Sequence, residues 1–248
     1  MMDGMTTGSR ARSFGSAAAR YAAHRPSYPA ALFDTVEELA GFPLAGARVA
    51  DVGAGTGIAS ALLHARGARV VAVEPSEGMA AEFRRRNPVI ALVRGDGDRL
   101  PLATEGTDLL AYAQSWHWTD PALAGPEALR VLRPGGALAV WSNDPDTDVE
   151  WIADQQARIE KHFGPGWYVN EPARPLPGLD FTTRRLRWSR PVSVEAHLGK
   201  LSTHSLFLVA EPGADTFLEA ERARLLALFP DGRLREHYTV RLDVAVRR

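Results

Sequence analysis

Three glycines and an acid form the part of the sequence best suited to bind a nucleotide. An apolar stretch predicts a buried strand and runs directly into Gly53, Gly55 and Gly57. We call residues 53–57 the glycine turn, because glycines let the backbone bend sharply and let a ligand lie against it. A second apolar stretch ends in Glu74. A carboxylate there can accept hydrogen bonds from both hydroxyls of a ribose, so the sequence predicts a nucleotide-binding crossover unit.

The spacing of the glycines and a nearby acid narrow the choice of ligand. A dinucleotide-binding turn has the pattern G-x-G-x-x-G, but Ile58 stands where its last glycine would be. Asp51, two residues before the first glycine, would repel a pyrophosphate and suits the ammonium of an amino-acid group. The pattern D-x-G-x-G-x-G resembles motif I of the class I S-adenosylmethionine (SAM)-dependent methyltransferases. The resemblance implies SAM as cofactor and S-adenosylhomocysteine (SAH) as product, and it disfavours a nicotinamide oxidoreductase.

Four further motifs resemble small-molecule methyltransferases related to trans-aconitate methyltransferase. They are F-G-x-x-A-x-x-Y-x-x-x-R-P-x-Y-P from Phe14, E-P-S-x-x-M from Glu74, G-D-G-D-x-L-P from Gly95 and A-Q-x-x-H-W from Ala113. In the third motif Gly97 and Asp98 replace the family's Ala and Glu. The resemblance implies an N-terminal segment folded over the SAM site. The implied cofactor-binding residues are Asp51, Gly53, Ala54, Gly55, Gly57, Glu74, Pro75, Met79, Asp96, Gly97, Gln114, Tyr21 and Arg25.

Several of these residues have a plain structural alternative. Met79 could cover the adenine or simply belong to the core. Asp96 could accept from the adenine amino group or cap its own turn. Tyr21 and Arg25 are candidates to approach the methionine end of SAM, but they also suit a packed tyrosine and a helix-terminal arginine. For Glu74 we expect a binding role with little contribution to packing, because it stands at a strand end.

The residues that follow the fourth apolar stretch are placed for catalysis. Ligands of open α/β sheets lie outside the carboxyl ends of the strands, where Trp116, His117 and Trp118 follow residues 107–113. His117 is the candidate general base, although a histidine in a turn also serves structural roles. The two tryptophans suggest an aromatic wall for a cationic sulfonium. The candidate substrate-binding residues are Trp116, Trp118, Trp141, Trp167, Tyr168 and His204.

Composition restricts the remaining possibilities. The chain has 248 residues, 45% of them hydrophobic, a formal net charge of -1 and no cysteine. The hydrophobic content suits a two-sided α/β core, and the charge gives no general attraction to nucleic acid or to membranes. We expect a cytoplasmic monomer or homodimer whose partner is a small molecule, with no nucleic acid and no membrane. The acidic loop 143–148 could hold a metal ion, but caps and solvated turns explain it, and we expect no metal.

The order of the predicted elements indicates the architecture. Third and fifth strands are predicted at 89–93 and 137–141, and alternation over 239–247 predicts a last strand with one solvent-facing side. We predict an α/β fold: a Rossmann-like, doubly wound, mainly parallel sheet of seven strands with an antiparallel last strand, a helical N-terminal segment and an inserted cap. A single domain over 1–248 would comprise a disordered 1–12, helices over the site at 13–40, a SAM-binding core at 41–147, a cap-like insertion at 148–180 and C-terminal strands and helices at 181–248.

These features predict a SAM-dependent methyltransferase that modifies a carboxyl or hydroxyl oxygen of a small molecule. N- or C-methylation of a small molecule, and SAM binding without transfer, are the alternatives. An amino-methylating nucleic-acid enzyme would carry a string like N-P-P-Y where this chain has Gln-Ser-Trp-His at 114–117. Transfer from a sulfonium is an in-line displacement on an activated carbon, so the protein has to align the acceptor, exclude water and remove any proton that the acceptor must lose.

Overall fold

Seven strands and eight α-helices make up the described part of this computed structural model, which covers residues 18–164, 176–204, 207 and 213–248. The strands are β1 Arg48–Val52, β2 Arg69–Val73, β3 Ala91–Val93, β4 Thr107–Ala113, β5 Leu132–Pro145, β6 Thr182–Ser193 and β7 Arg233–Val246. The helices are α1 Ala18–His24, α2 Ala30–Ala40, α3 Ile58–Ala65, α4 Glu77–Arg86, α5 Pro121–Val131, α6 Glu150–Phe163, α7 Val194–Leu201 and α8 Gly213–Leu228. A short 3-10 helix spans Trp116–Trp118.

The strands form one sheet in the order β3-β2-β1-β4-β5-β7-β6. Strands β1 to β5 pair in parallel, whereas β7 is antiparallel to both β5 and β6. This arrangement confirms the predicted mixed α/β sheet with its antiparallel last strand. The chain winds outward from β1 in one direction and resumes with β4 on the other side. The carboxyl ends of β1 and β4 therefore border the switch point at which such sheets bind ligands.

Helices cover both faces of the sheet. On one face α2, α3 and α4 bury Phe33, Leu63 and Phe83 against the sheet. On the other face α5 packs over the sheet together with Leu176 and Leu179. Helices α6, α7 and α8 form a third apolar cluster with Leu234 of β7. Since each fully buried large apolar side chain stabilises the fold by about 1.5–3 kcal/mol, these clusters hold the strand ends rigidly in place.

Two helix starts near the predicted site follow the sequence closely. The Ser76 hydroxyl caps α4 by accepting a hydrogen bond from the amide of Met79. The Asp120 carboxylate caps α5 by accepting from the amide of Ala122, and Pro121 occupies the first helical position. Both caps use residue types that favour helix starts, and they satisfy amides that have no partner within a helix.

Several element boundaries differ from the prediction. The third strand is shorter, because Ile90 donates to the carbonyl of Asn87 in a turn and Val89 is 77% exposed. The fifth strand is longer at both ends, through its pairing with β7. The prediction that one whole side of the last strand faces solvent is wrong, because Asp243 on that side is only 3% exposed. The predicted start of the first helix, residues 13–17, lies outside the described residues.

The proposed division into N-terminal, core, cap and C-terminal segments stays a prediction. Residues 150–163 of the predicted cap-like insertion form an amphipathic helix that packs against α7 and α8. Of the helices in the described ranges, none combines the length and the apolar character that a bilayer crossing requires.

Candidate cofactor and acceptor site

The glycine turn lies at the carboxyl end of β1 and bends over β2. Gly53, Gly55 and Gly57 have φ angles of +67°, +58° and +90°, a region that favours glycine. The amides of Gly53 and Ala54 both donate to the carbonyl of Val73, at 2.8 and 3.1 Å. The turn is thus fastened to the end of the strand that carries Glu74.

The space around the three glycines differs. A β-carbon at position 53 would lie 2.5 Å from Cβ of Ser115, and one at position 57 would lie 2.3 Å from Nδ2 of the Asn87 side chain. A β-carbon at Gly55 would meet no atom within 4 Å. Gly53 and Gly57 therefore serve close packing within the protein, whereas Gly55 faces open space that a ligand could occupy.

Glu74 is buried and tied to the glycine turn. It is 5% exposed, and its carboxylate accepts from the amide of Gly55 at 2.8 Å and from that of Ser76 at 2.7 Å. Burial raises the pKa of Glu74, while those two amides and the nearby Arg94 oppose the rise. The expectation that this carboxylate contributes little to packing is wrong, because it joins the turn to the start of α4.

Asp51 is fully buried in β1 below the turn. One carboxylate oxygen, Oδ2, accepts from the Ser60 hydroxyl at 2.5 Å, whereas Oδ1 has no hydrogen-bond partner among the described residues. Burial raises the pKa of Asp51 to about 6; the hydrogen bond from Ser60 opposes the rise and the charge of Glu74 adds to it. The apolar spacing of the sequence did not identify Ser60, which faces inward from α3.

The loop after β3 shows the structural alternative for Asp96. Its carboxylate accepts from the amides of Asp98 and Arg99, so it caps its own turn while remaining exposed. Gly97 is tightly packed, since a β-carbon there would lie 2.5 Å from Thr119. Met79 is 5% exposed on α4, which places most of this side chain in the protein interior.

The end of β4 is strained next to the glycine turn. Gln114 has a φ of +60°, which is unusual for a residue other than glycine, and its amide donates to the carbonyl of Trp141. The Ser115 hydroxyl donates to the carbonyl of Val52 at the end of β1. Such strain persists only where the surrounding structure imposes it, and it often marks functional sites.

A cleft opens beside this strained corner. It is lined by Gln114, Ser115, Trp116, His117, Val140, Trp141, Ser142, Arg241 and Asp243. The rings of His117 and Trp118 lie 4.6 Å apart, and both side chains are half-buried. The structure thus places His117 where the carboxyl ends of β4 and β5 meet, close to the glycine turn.

The tryptophans do not form the single wall that the sequence suggests. Trp116 is buried with its ring edge-on to Tyr112 at 4.7 Å. Trp141 is buried between Tyr28 and Phe33, at 5.9 and 6.1 Å. Their indole rings belong to the core, and the half-buried Trp118 is the candidate of the three with a partly accessible ring. The other aromatic candidates, Trp167 and Tyr168, lie outside the described residues.

The N-terminal helix brings Tyr21, Arg25 and the turn after α7 together. The Arg25 guanidinium lies 4.6 Å from the Tyr21 ring centre and donates to the carbonyl of Thr203 at 3.4 Å. Helix α1 contacts both α4 and α7. Desolvation and the cations Arg25 and Lys200 hold the pKa of His204 well below its usual range, so this imidazole is neutral near pH 7.

A buried carboxylate that the sequence did not reveal anchors the end of α1. Glu236 is 1% exposed, and four donors surround it within 2.7 Å: His197 Nδ1, Lys200 Nζ, Arg190 Nε and Tyr238 Oη. Arg190 also donates to the carbonyl of His24 at 3.1 Å. The position of α1 is therefore fixed by charges on the C-terminal strands.

The acidic loop is joined to β6 by ion pairs. Asp146 and Asp148 both form ion pairs with Arg187 on β6. In the described part of the chain no three His, Asp or Glu residues lie close enough to hold a metal ion. The loop thus fastens β6 to the end of β5.

Comparison with known proteins identifies the family. A profile of the methyltransferase domain matches residues 50–140. Uncharacterized methyltransferases of Mycobacterium bovis and Mycobacterium tuberculosis are each 33% identical over 219 residues, which covers 88% of this chain and 87% of theirs. The chain belongs to the class I SAM-dependent methyltransferases. The region that the profile matches, residues 50–140, contains the glycine turn, Glu74 and His117, whereas Arg25 lies outside it.

Other methyltransferases are similar to this chain over part or most of its length. Demethylmenaquinone methyltransferase of Beutenbergia cavernae is 47% identical over 96 residues, which are 38% of this chain and 40% of that protein. The solved structure of a putative type II methyltransferase from Anaeromyxobacter dehalogenans has a TM-score of 0.68 at 25% identity, covering 90% of this chain and 97% of that one. Membership of this methyltransferase class makes SAM the methyl donor.

Proposed function

We propose that this methyltransferase transfers the methyl group of SAM to a carboxyl or hydroxyl oxygen of a small molecule. The observation that carries the proposal is the open space at Gly55, bordered by two buried carboxylates. A backbone turn at a strand end, with an acid below it and an acid beside it, suits a nucleoside that carries an ammonium group.

The residues present fit SAM at this turn. Asp51 Oδ1, which lacks a hydrogen-bond partner among the described residues, would accept from the ammonium of the methionine part. The Glu74 oxygens retain lone pairs for the ribose hydroxyls, since each accepts one amide. Asp96 and Gly97 would border the adenine, with Pro75 and Met79 beside them. Tyr21, Arg25 and Gln114 would close the methionine end.

The protein's own contribution to the reaction is alignment and proton removal. When bound, SAM supplies a methyl group already activated by its sulfonium. His117 would accept the proton of a hydroxyl acceptor, and Trp118 would exclude water beside it. A carboxylate acceptor needs no base. Trp167, Tyr168 and His204 would contribute to acceptor choice, with residues 148–180 acting as a cap.

A small acceptor agrees with the charge of the chain and with its relatives. The formal net charge of -1 provides no general attraction to nucleic acid. One relative is named for demethylmenaquinone, which is a small molecule.

The proposed function is tested by following the methyl group. The protein is incubated with methyl-labelled SAM and with separate metabolite, RNA and protein fractions of a cell extract. Label in the metabolite fraction supports the proposal, and chromatography of that fraction identifies the acceptor. Label in RNA or protein overturns the acceptor class. SAH binding without labelling of any fraction favours the non-transferring alternative.

Replacing Glu74 with glutamine should weaken both SAM binding and the fold. Glutamine has one acceptor oxygen for two amides, so an unsatisfied amide should cost about 1–3 kcal/mol in unfolding free energy. Loss of the charged acceptor should reduce SAM affinity at least about tenfold by calorimetry. Glu127→Gln is the matched control, because Glu127 accepts the amide of Leu100 outside the site. Equal affinity loss in both variants would refute the ribose contact.

The His117→Ala variant separates the two acceptor types. If the acceptor is a hydroxyl, kcat should fall by about 10²–10⁴ with SAM affinity unchanged, and the pH dependence of kcat should lose its acidic limb. If it is a carboxylate, kcat should change little. A variant that loses SAH affinity as strongly as turnover would show that His117 supports the cofactor site and does not act as the base.

A further inference from the structure

The cleft that contains His117 also contains a fixed arginine. Arg241 lies on β7, and its guanidinium is anchored to the buried Asp243, with Nε 3.1 Å from Oδ2. The hydroxyl of Thr183 donates to the same carboxylate at 2.5 Å. Nε and Nη2 face Asp243, so the Nη1 edge points away from that carboxylate, and Arg241 lines the cleft. A guanidinium held in one orientation is well suited to recognise a planar oxyanion.

A second arginine stands directly opposite the first. Arg185 on β6 is the register partner of Arg241, and partners in an antiparallel pair share one face of the sheet. Like charges directly opposite one another destabilise a sheet, and an anion bound between them would offset that repulsion. Arg185 has no hydrogen-bond or ion-pair partner among the residues that the structure describes, whereas the next arginine on this face, Arg187, is paired with Asp146 and Asp148. The position of Arg185 opposite Arg241, with no acidic partner of its own among the described residues, is therefore an independent indication of an anionic ligand.

The position of the two arginines relates this anion site to methyl transfer. Ser142 on β5 is the register partner of Arg241, so a polar row crosses β5, β7 and β6. The cleft reaches Ser115, whose side chain packs against Gly53 of the glycine turn. An acceptor held by the arginines would thus lie beside the cofactor turn and near His117.

We propose that Arg185 and Arg241 bind a carboxylate of the methyl acceptor at the edge of this cleft, where Arg241 lines it and Arg185 lies opposite Arg241 on β6. The inference rests on the proposed function, since it assigns the anion to the acceptor. A carboxylate fits better than a phosphate, because Asp243 beside Arg241 opposes a dianion more strongly than a monoanion. The acceptor class is accordingly a small carboxylic acid.

Binding of a matched pair of probes tests the site without turnover. Benzoate and its neutral analogue benzamide are titrated into the full chain, with and without SAH, and followed by saturation-transfer NMR. We expect benzoate to bind at least about tenfold more tightly than benzamide. Equal binding of the two, or no binding of benzoate, would overturn the proposal. Inorganic phosphate that binds more tightly than benzoate would overturn the choice of a carboxylate.

Three variants locate the binding. Arg185→Gln changes an exposed side chain and should weaken benzoate about tenfold; Arg241→Lys keeps the charge near Asp243, removes the planar guanidinium and should have a similar effect. The matched control Arg184→Gln removes a neighbouring arginine on the other face of β6 and should leave benzoate affinity unchanged. If Arg184→Gln loses as much benzoate affinity as Arg185→Gln, the effect is a general response to charge, and the proposed anion site is refuted. SAH affinity should be unchanged in the two glutamine variants, and failure of the wild type to bind SAH would contradict the proposed function independently.

Discussion

Replacing Gly55 with asparagine is expected to weaken SAM binding at least about 100-fold while the fold persists. Gly55 has a φ of +58° and faces open space, so a side chain there would occupy the volume proposed for the cofactor. Asparagine is the substitute of choice, because it tolerates left-handed backbone angles better than most residues. Calorimetric titration with SAM and SAH measures the effect.

The chain offers a closely matched control in Gly46. It has a φ of +78°, and a β-carbon there would also meet no atom within 4 Å, but it lies in the turn before β1. Gly46→Asn and Gly55→Asn should therefore lose a similar amount of stability, about 1 kcal/mol in thermal or urea unfolding. Gly46→Asn should keep the wild-type affinity. An unchanged affinity in Gly55→Asn would place the cofactor elsewhere.

The Asp51→Asn variant is expected to be more stable than the wild type in the absence of SAM and to lose SAM affinity. Burial raises the pKa of Asp51 from 3.8 to about 6. Between these values the folded state holds a proton that the unfolded state releases, so the stability of the wild type falls as pH rises through this window and stays lower above it. This shift in pKa corresponds to a loss of up to about 3 kcal/mol in the unfolding free energy of the wild type at neutral pH.

The pH dependence of unfolding distinguishes this effect from a general response to charge removal. Asp51→Asn should flatten the stability profile between pH 4 and pH 6, since asparagine has no proton to exchange there. The control is Asp108→Asn, because the Arg48 guanidinium holds the pKa of Asp108 well below its usual range. That variant should lose stability at neutral pH. A stability loss in Asp51→Asn at pH 7 would contradict a destabilising buried charge at Asp51.

The parallel half of the fold was predictable because its signals are local. Strands β1, β2 and β4 are mainly apolar, as is typical of sheets covered on both faces. Ser76 and Asp120 mark helix starts by their own side chains. The antiparallel half was less predictable, since the length of β5 and the burial of Asp243 depend on pairing with strands far away in sequence.

The candidate site likewise combines features that the sequence predicts with features that depend on packing. The glycine turn and Glu74 follow from spacing along the chain, and the structure brings them together through the amide of Gly55. Ser60 and Ser115 were missed, because their contacts with Asp51 and Gly53 arise only when the elements pack. The burial of Trp141 could not be predicted either, because its ring packs against Tyr28 and Phe33 while the residue also borders the cleft.

Register explains why the proposed acceptor subsite was not visible in the sequence. Arg185 and Arg241 are separated by most of the C-terminal region, and only the pairing of β6 with β7 places them opposite one another. A shift of one residue would move each side chain to the other face of the sheet.

A crystal structure of the complex with SAH tests the proposed cofactor site most directly. We expect SAH to lie against Gly55, with both ribose hydroxyls within hydrogen-bonding distance of the Glu74 carboxylate. We expect the ammonium group of SAH to approach Asp51 Oδ1. SAH bound away from the glycine turn, or a ribose beyond the reach of Glu74, would contradict it.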